Sequence, residues 1–322
     1  MGDGKADDLV LGCDELDDVV ELLTTELGFQ LDMIMPADDP RLAVLSGHGR
    51  RIRLERRPAA GAPAVAGPDT APGFELTQAP ADDPGAPGRA GMRYRDLLPS
   101  RRSGQFIASH ITIPEGGPVP DYVHHHDVRL QFIYCLRGWV RVVYEDQGPP
   151  FVLQAGDCVL QPPGIRHRVL ESSAGLEVLE VTGPAEHPTY VDHVLALPTP
   201  SVDADRLFGG QRFVRHRADR ATWVPWRSAA FEACDTGIAA ATSGVVDVRT
   251  VRAVVGGSAT PLVAHDGELL LWFVAAGSAT LRVDGRPDVD LGRADAVALP
   301  AGVDHVVTDW SGDLELVEVT VP

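Results

Sequence analysis

Lysine is almost missing from this chain of 322 residues, because Lys5 is the only one. Schiff-base chemistry and a phosphate-binding P-loop both need a lysine side chain in the folded part of a protein, so neither is expected. The serine-nucleophile motif G-x-S-x-G is also absent, which argues against an α/β-hydrolase. The glycines around Gly47 and Gly49 do not complete a dinucleotide-binding fingerprint.

Cysteines and long apolar runs are scarce as well. The four cysteines, Cys13, Cys135, Cys158 and Cys234, occur without C-x-x-C spacing, so we expect neither a disulfide framework nor a thiolate metal site. No apolar run approaches the length of a membrane span, and the acidic start (MGDGKADD) does not resemble a secretion signal. Cytoplasm is therefore the expected compartment.

Positive charge is in short supply. The chain has 28 Lys and Arg against 46 Asp and Glu, which gives a formal net charge of −18. This balance argues against nucleic acid or an anionic membrane as partner and leaves a small molecule as the expected one. The hydrophobic content of 44% is ordinary for a globular protein, and the length suits two or three domains.

Residues 1–57 have the pattern of a small α+β unit with the order β-α-β-β-β. Apolar residues recur at helical spacing after Asp14, and Gly28 ends that helix. The predicted strands are Leu9–Cys13, Phe29–Met33, Leu42–Ser46 and Arg51–Arg56. The order resembles one module of the glyoxalase/vicinal-oxygen-chelate superfamily, in which two modules pair to build a metal site. Glu55 falls where that family has a glutamate ligand, but the first strand has no histidine, so we expect a scaffold or dimerisation module.

Residues 58–91 consist mostly of Ala, Pro and Gly and predict a linker. From Met92 onward, short β-rich runs alternate with Gly and Pro, as in a barrel or sandwich. This region repeats, because landmark residues recur 138 to 140 positions later: Ser103, Gly104, Gly138, Pro162, Gly164 and His167 return as Ser243, Gly244, Gly277, Pro300, Gly302 and His305. The repeat predicts two similar β domains, at about 92–200 and 201–322.

The first copy contains a candidate metal site. His124 and His126 flank His125 in a predicted strand, so alternation of side chains turns these two toward one face. Gln131 follows on the next strand, and His167 stands just beyond a turn at Pro162–Gly164. Three imidazoles and an amide oxygen meeting in one barrel would form a metal site with open coordination positions, as catalysis requires.

The spacing of these residues resembles the cupin superfamily. Its first motif, H-x-H-x4-E-x6-G, is matched at His124, His126, position 131 and Gly138, and its second, G-x5-P-x-G-x2-H, ends at His167. The resemblance implies a mainly β chain of two tandem jelly-roll barrels, a bicupin, preceded by the α+β unit. It also implies one divalent transition metal, with Fe(II) favoured and Zn, Ni, Mn or Cu as alternatives.

The chain departs from the family pattern at Gln131, where a glutamate is usual. An amide oxygen is a weaker, neutral ligand, so the metal would be a stronger electrophile and high oxidation states would be disfavoured. In the second copy Val263 and Leu270 replace two of the ligands, while His265 and His305 remain. We expect that barrel to be structural unless Glu268 completes a weak second site.

Three further residues near the ligands in sequence, His110, Tyr122 and Arg129, are candidates for orienting a substrate. The polar stretch 187–193 predicts an exposed exit from the first barrel. The resemblance makes a mononuclear oxygenase of dioxygenase type the first expectation. The alternatives are a non-redox isomerase, cyclase or lyase acting on a sugar-acid or polyketide-like substrate, and a cupin that binds a small ligand without turnover.

Overall fold

The computed structural model describes residues 9–57, 73–80, 85–88, 91–254, 260 and 262–322. Lys5 and much of the predicted linker lie outside these residues. The described chain is mainly β, as predicted. No helix among the described residues has the length and apolar character needed to cross a membrane.

The N-terminal unit has its elements in the predicted β-α-β-β-β order. They are β1 (Leu9–Cys13), α1 (Leu16–Glu21) with a π-helical continuation (Leu22–Glu26), β2 (Gln30–Met35), β3 (Leu42–Gly47) and β4 (Arg50–Arg56). Strand β1 pairs in parallel with β4, and β4, β3 and β2 follow antiparallel. The helix packs Leu16 against Leu45 and Leu54 of the sheet, which gives the unit its own small core.

The middle of the chain forms the first barrel. Its strands and those preceding it are β5 (Glu75–Thr77), β6 (Ala86–Pro87), β7 (Arg93–Asp96), β8 (Ile107–Ile113), β9 (Gly117–Pro118), β10 (His124–His126), β11 (Leu130–Arg137), β12 (Trp139–Tyr144), β13 (Phe151–Gln154), β14 (Cys158–Leu160), β15 (His167–Ser172), β16 (Leu176–Gly183) and β17 (Thr189–Val191). One sheet runs β17-β10-β15-β12-β13 and the other β14-β11-β16-β8-β7. The two sheets enclose a cavity lined by apolar and polar side chains.

The rest of the chain forms the second barrel and the connection to it. The elements are β18 (Leu207–Phe208), β19 (Gln211–Arg212), β20 (Val214–His216), a 3-10 turn (Ala218–Arg220), β21 (Trp223–Trp226), β22 (Ser228–Asp235), α2 (Ile238–Ala241), β23 (Asp247–Ala253), β24 (Leu269–Ala276), β25 (Ala279–Val283), β26 (Val289–Leu291), β27 (Ala296–Leu299), β28 (His305–Trp310) and β29 (Glu315–Val321). Its sheets run β21-β22-β23-β29-β24-β27-β5 and β26-β25-β28.

The two barrels exchange strands. Strand β5, from the segment predicted to be a linker, pairs with β27 of the second barrel, and Phe74 beside it packs into that barrel's core. Strand β20, which follows the boundary predicted at residue 200, pairs with β14 of the first barrel. Such short strands carry no sequence signal for the barrel they join, because either sheet edge offers the same backbone hydrogen bonds.

The landmark glycines of the repeat have a local structural reason. Gly138 and Gly277 follow a bulge in β11 and β24 respectively and adopt φ angles of +74° and +72°. A Cβ atom on either residue would collide with a serine hydroxyl, Ser173 in the first barrel and Ser311 in the second. Those hydroxyls accept hydrogen bonds from the backbone just after each glycine, at 3.0 Å and 2.8 Å. The same corner is therefore built twice.

The N-terminal unit is not a separate lobe, because its sheet continues into the first barrel. Strand β2 pairs on its free edge with β17, so that Ile34 lies opposite Thr189, and β17 pairs in turn with β10. The stretch 187–193, predicted to be exposed, is instead partly built into this junction: His187 and Thr189 are buried. Hydrophobic alternation over three residues is too short to predict such a strand.

Candidate metal centre

The predicted histidines meet in the interior of the first barrel. His124 on β10 lies directly opposite His167 on β15, and His126 follows two residues later on the same face. A nitrogen from each of the three rings lies within 4.8 Å of a nitrogen from the others. All three residues are at most 5% exposed, so their position is set by the barrel wall and not by solvent.

Each imidazole is oriented by a hydrogen bond at Nδ1. His124 Nδ1 contacts the carbonyl of Tyr122 at 2.8 Å, and His167 Nδ1 contacts the carbonyl of Ile165 at 3.0 Å. His126 Nδ1 contacts the hydroxyl of Thr189 at 3.0 Å. A carbonyl can only accept, so Nδ1 carries the proton in the first two rings and Nε2 is the atom that each offers as a ligand. This second layer of contacts is typical of histidines that bind metals.

Gln131 lies beside the histidines with its amide already oriented. Its Nε2 donates to Glu180 Oε1 at 2.9 Å, because a carboxylate accepts and cannot donate. The carbonyl Oε1 of Gln131 is therefore the atom presented as a neutral ligand. Glu180 lies on β16 opposite Ile133 of β11, diagonally across from Gln131, and lines the same cavity.

Negative charge surrounds this neutral ligand set. Glu180 stands one hydrogen bond behind Gln131, and the buried carboxylate of Asp121 lies 3.6 Å from His124 Nδ1. Asp121 also accepts a hydrogen bond from the Val169 backbone at 2.9 Å, which holds it in place. The carboxylates of Glu180 and Asp121 would thus offset the positive charge of a divalent cation at the centre without binding it directly.

The cavity below the centre is mostly aliphatic. Its side walls consist of isoleucine, valine and leucine side chains from both sheets: Ile107, Ile111, Ile113, Ile133, Val140, Val142, Leu153, Val169, Leu176 and Val178. The strand β8 alternates, with Ile107, Ser109 and Ile111 facing this cavity. Besides the metal-site residues, polar side chains such as Ser109, Tyr144 and Gln161 also line it. Such a site suits a small organic molecule with a largely apolar body.

Several polar residues of this cavity were not predicted from the sequence, among them Glu180, His187 and Asp38. Burial lowers the pKa of His187, whose Nδ1 contacts the Pro184 carbonyl at 3.0 Å and whose Nε2 has no hydrogen-bond partner among the described residues. Asp38 comes from the loop after β2 and pairs with Arg101 at 2.6 Å. Glu180 left a signal in the sequence, since it and Glu177 are the two acids of an otherwise mostly apolar strand.

The three residues predicted to orient a substrate lie elsewhere. His110 points to the opposite face of β8 and lies 3.2 Å from Glu177, with its ring 5.8 Å from Phe273 of the second barrel. Arg129 pairs with Glu268 on the surface at 2.6 Å. Tyr122 contributes its backbone carbonyl to His124. None of the three side chains is among the described residues that line the cavity. Proximity in sequence to a strand ligand does not predict the facing of a neighbouring side chain.

The second barrel does not assemble an equivalent cluster among the described residues. His265 Nε2 contacts the carbonyl of Leu299 at 3.0 Å, so this ring turns into the barrel wall. Glu268, the possible third ligand, is engaged with Arg129. Only His305 keeps the orientation of its counterpart, since its Nδ1 contacts Val303 at 3.2 Å as His167 contacts Ile165.

Comparison with known proteins agrees with this geometry. Residues 109–182 match the family model of the cupin domain. The whole fold is similar to oxalate decarboxylase from Bacillus subtilis, at 14% identity and a TM-score of 0.55, covering 80% of this chain and 78% of that one. Another structure of that enzyme, described for its Mn(II) centres, aligns at 14% identity and a TM-score of 0.54, covering 80% and 79%. The protein Ylba from E. coli aligns at 12% identity and a TM-score of 0.56, covering 78% and 91%.

No curated protein matches the sequence. The family match identifies a cupin domain within the first barrel, and the fold of the chain is similar to that of cupin proteins with two barrels. Its particular architecture is that of a bicupin, in which the first barrel carries the histidine cluster and the N-terminal unit extends one of that barrel's sheets.

Proposed function

We propose that the first barrel is a metal-dependent enzyme site that moves a proton on a small carbonyl compound, in an isomerisation, cyclisation or lyase reaction. The observation that carries this proposal is the carboxylate of Glu180, which lines the cavity next to Gln131. A proton acceptor beside a metal site is what such chemistry requires.

The residues present fit one divalent transition metal. Nε2 atoms of His124, His126 and His167 and Oε1 of Gln131 would hold it. Of the metals expected from the sequence, Fe(II), Zn(II), Ni(II), Mn(II) and Cu(II), the similar Bacillus enzyme supports Mn(II). The bound cation would polarise a carbonyl oxygen of the substrate.

Glu180 is arranged to accept a proton at one particular oxygen. Gln131 Nε2 and Thr182 Oγ1 both donate to its Oε1, at 2.9 Å and 3.2 Å. No described residue donates a hydrogen bond to its Oε2, so that oxygen is the one available to a substrate proton. His187 stands on the same cavity wall with a neutral, accepting Nε2, and can hold a substrate hydroxyl or take the proton in a second step.

The shape of the cavity selects the substrate class. Its aliphatic walls favour a compact, polyketide-like molecule with a largely apolar body. Polar side chains of the cavity, among them Glu180 and His187, would position one carbonyl and one hydroxyl. The N-terminal unit takes part through Asp38, which also lines the cavity.

A second candidate is the oxygenase first expected from the family resemblance. The aliphatic wall favours it, because exclusion of water protects oxidative chemistry from side reactions. Gln131 and Glu180 favour the proton-transfer reaction instead, since the ligand set itself is neutral.

The experiment compares turnover with and without oxygen. The metal-loaded protein is incubated in D2O under nitrogen with a panel of hydroxyketones and 3-oxoacyl esters, and deuterium uptake next to the carbonyl is followed by NMR. We expect turnover without oxygen, reduced about 100-fold or more in Glu180→Gln while metal content is unchanged. Glu171→Gln is the matched control, because Glu171 lies in the same barrel but pairs with Arg141 on the outside, at 2.9 Å.

Three outcomes discriminate the candidates. Turnover that requires oxygen and consumes it supports the oxygenase. A metal-loaded protein that binds members of the panel without any turnover in air or nitrogen is a ligand-binding cupin. Full activity of Glu180→Gln would contradict the role of this carboxylate.

A further inference from the structure

The second barrel contains a cavity at the position that corresponds to the metal centre of the first. Four of its lining residues are equivalents of residues in the first site: Val263, Trp272, His305 and Glu318 stand where the first barrel has His124, Ile133, His167 and Glu180. The other lining side chains include Trp226, Arg227 and Phe231. The loss of metal ligands has therefore left a cavity and has not filled the barrel.

Two polar atoms in this cavity are buried without a hydrogen-bond partner among the described residues. One is Nε2 of His305, a residue only 1% exposed, and the other is Nε1 of Trp226. An unpaired buried polar atom costs free energy, so a barrel that served only as a scaffold would gain from replacing either side chain with an apolar one. The other polar side chains of the described lining, Thr260, Arg227, Trp272 and Glu318, each make hydrogen bonds.

The pairing of the charges leaves the cavity neutral overall. Glu318 accepts from Arg227 at 3.0 Å and from the indole Nε1 of Trp272 at 2.9 Å. Burial raises the pKa of Glu318, an effect that Arg227 opposes. Burial also lowers the pKa of His305, which is therefore neutral near pH 7. Because Nδ1 of His305 donates to the Val303 carbonyl, its Nε2 is a hydrogen-bond acceptor.

We propose that the second barrel is a binding site for a small neutral molecule with an aromatic or apolar body and one hydroxyl group. The hydroxyl would donate to His305 Nε2 and accept from Trp226 Nε1, which satisfies both unpaired atoms at once. Trp226, Phe231 and Trp272 would surround the apolar body. A charged ligand is disfavoured, since Glu318 and Arg227, the charged residues among the described lining, already neutralise each other, and a further buried charge would be unpaired.

The cavity tryptophans provide an intrinsic reporter of occupancy. Trp226 and Trp272 line this cavity, whereas no tryptophan is among the described residues that line the first. Phenol serves as the probe, with benzoate and benzylammonium as charged probes of similar size. Tryptophan fluorescence of the full-length, metal-loaded protein is excited at a wavelength that phenol does not absorb. We expect saturable quenching by phenol, with weaker binding of both charged probes.

Two variants test the hydrogen bonds. His305→Phe removes the acceptor, and Trp226→Phe removes the donor while keeping an aromatic ring. Each is expected to weaken phenol binding about 5-fold or more, as the loss of one hydrogen bond predicts. Trp139→Phe is the control, since Trp139 lies on β12 of the first barrel, and its phenol affinity should equal that of the wild type. Metal content of the first barrel and the melting temperature report whether each variant is folded.

Each result decides the proposal. A wild-type protein without a saturable response up to the solubility limit of phenol overturns it, as does phenol affinity that is unchanged in the folded variants. Tighter binding of benzoate or benzylammonium overturns the neutral ligand. If His305→Phe does not fold, Trp226→Phe alone carries the test, because its indole is partly exposed and the ring is retained.

Discussion

Gln131 sets the charge of the candidate centre. A glutamate at this position would place a carboxylate directly on the metal, whereas here the amide would be the ligand, and Glu180 accepts a hydrogen bond from its nitrogen at 2.9 Å. The negative charge lies on Glu180, next to Gln131, and this carboxylate lines the cavity where a substrate would bind. The substitution that looked in the sequence like a weakened ligand therefore coincides with a new proton acceptor, which is why we favour proton transfer over oxidation.

Loss of one imidazole should empty the first barrel of metal and leave the second unaffected. We expect His167→Ala to reduce bound transition metal at least 10-fold, because the remaining ligands no longer surround the ion. His305→Ala is the matched variant at the equivalent position of the second barrel, and its metal content should equal that of the wild type. Elemental analysis of protein purified without chelator gives the ratio per chain. The reverse pattern would place the metal in the second barrel.

Exchange of Gln131 for glutamate tests the pairing with Glu180. In Gln131→Glu two carboxylates would face each other at hydrogen-bond distance, so the metal-free variant should melt about 2–4 °C lower than the wild type. Added Mn(II) should raise the melting temperature of Gln131→Glu to that of the wild type or above it, because the new ligand is anionic. Calorimetric melting curves with and without metal measure both effects. Equal melting temperatures of the metal-free proteins would show that the two side chains do not interact.

Strand β8 contributes one face to the cavity of the first barrel and the other face to the contact with the second barrel. Ile107, Ser109 and Ile111 face the cavity of the first barrel, while Ala108 and His110 face the second barrel. The adjacent strand β16 divides in the same manner, with Glu180 in the cavity and Glu177 paired with His110. Because side chains alternate along a strand, one face of each strand lines the cavity and the other face contacts the second barrel.

The pair of His110 and Glu177 predicts an acid-dependent loss of stability. The hydrogen bond from His110, followed by Arg293, lowers the pKa of Glu177 to about 2. Since the folded pKa lies below the unfolded one, this stabilisation is present above about pH 4.5 and declines as the pH falls toward 2. Glu177→Gln should therefore melt a few degrees lower than the wild type at pH 7, and the difference should shrink below pH 4.5.

Calorimetry across this pH range gives the comparison, with Glu115→Gln, an exposed carboxylate on a neighbouring loop, as control. The control should follow the wild type at each pH. A difference between Glu177→Gln and wild type that stays constant down to pH 3 would argue against the ionic contribution.

At the scale of the molecule, one sheet joins the N-terminal unit to the first barrel. It runs β1-β4-β3-β2-β17-β10-β15-β12-β13, so the outer strand β1 and the metal-site strands β10 and β15 belong to the same sheet. Strand β1 ends this sheet and exposes Leu9, Val10 and Leu11 at 54%, 55% and 41%. An exposed apolar edge strand is a template for pairing with a second copy, and we propose a homodimer through it.

A charge on this edge should separate the copies. Val10→Lys is expected to change a dimer in the wild type into a monomer, because a lysine on the edge strand opposes pairing. Val194→Lys is the control, since Val194 is 93% exposed in a loop of the first barrel. Light scattering after gel filtration measures the mass. A wild type that is monomeric, or a Val10→Lys variant that stays dimeric, would contradict the proposal.

The sequence by itself determined the local features of this protein. The spacing of His124, His126 and His167 and the repeated glycine corners depend on contacts within a few residues or on an exact period, and both are visible along the chain. The tertiary structure alone decided the rest. Asp38 of the N-terminal unit reaches the same cavity as Glu180 and His187, about 140 residues away, and β5 and β20 cross between barrels. The contacts of these residues and strands depend on sheet register and on which sheet edges remain unpaired, and neither can be read from the neighbouring residues in the sequence.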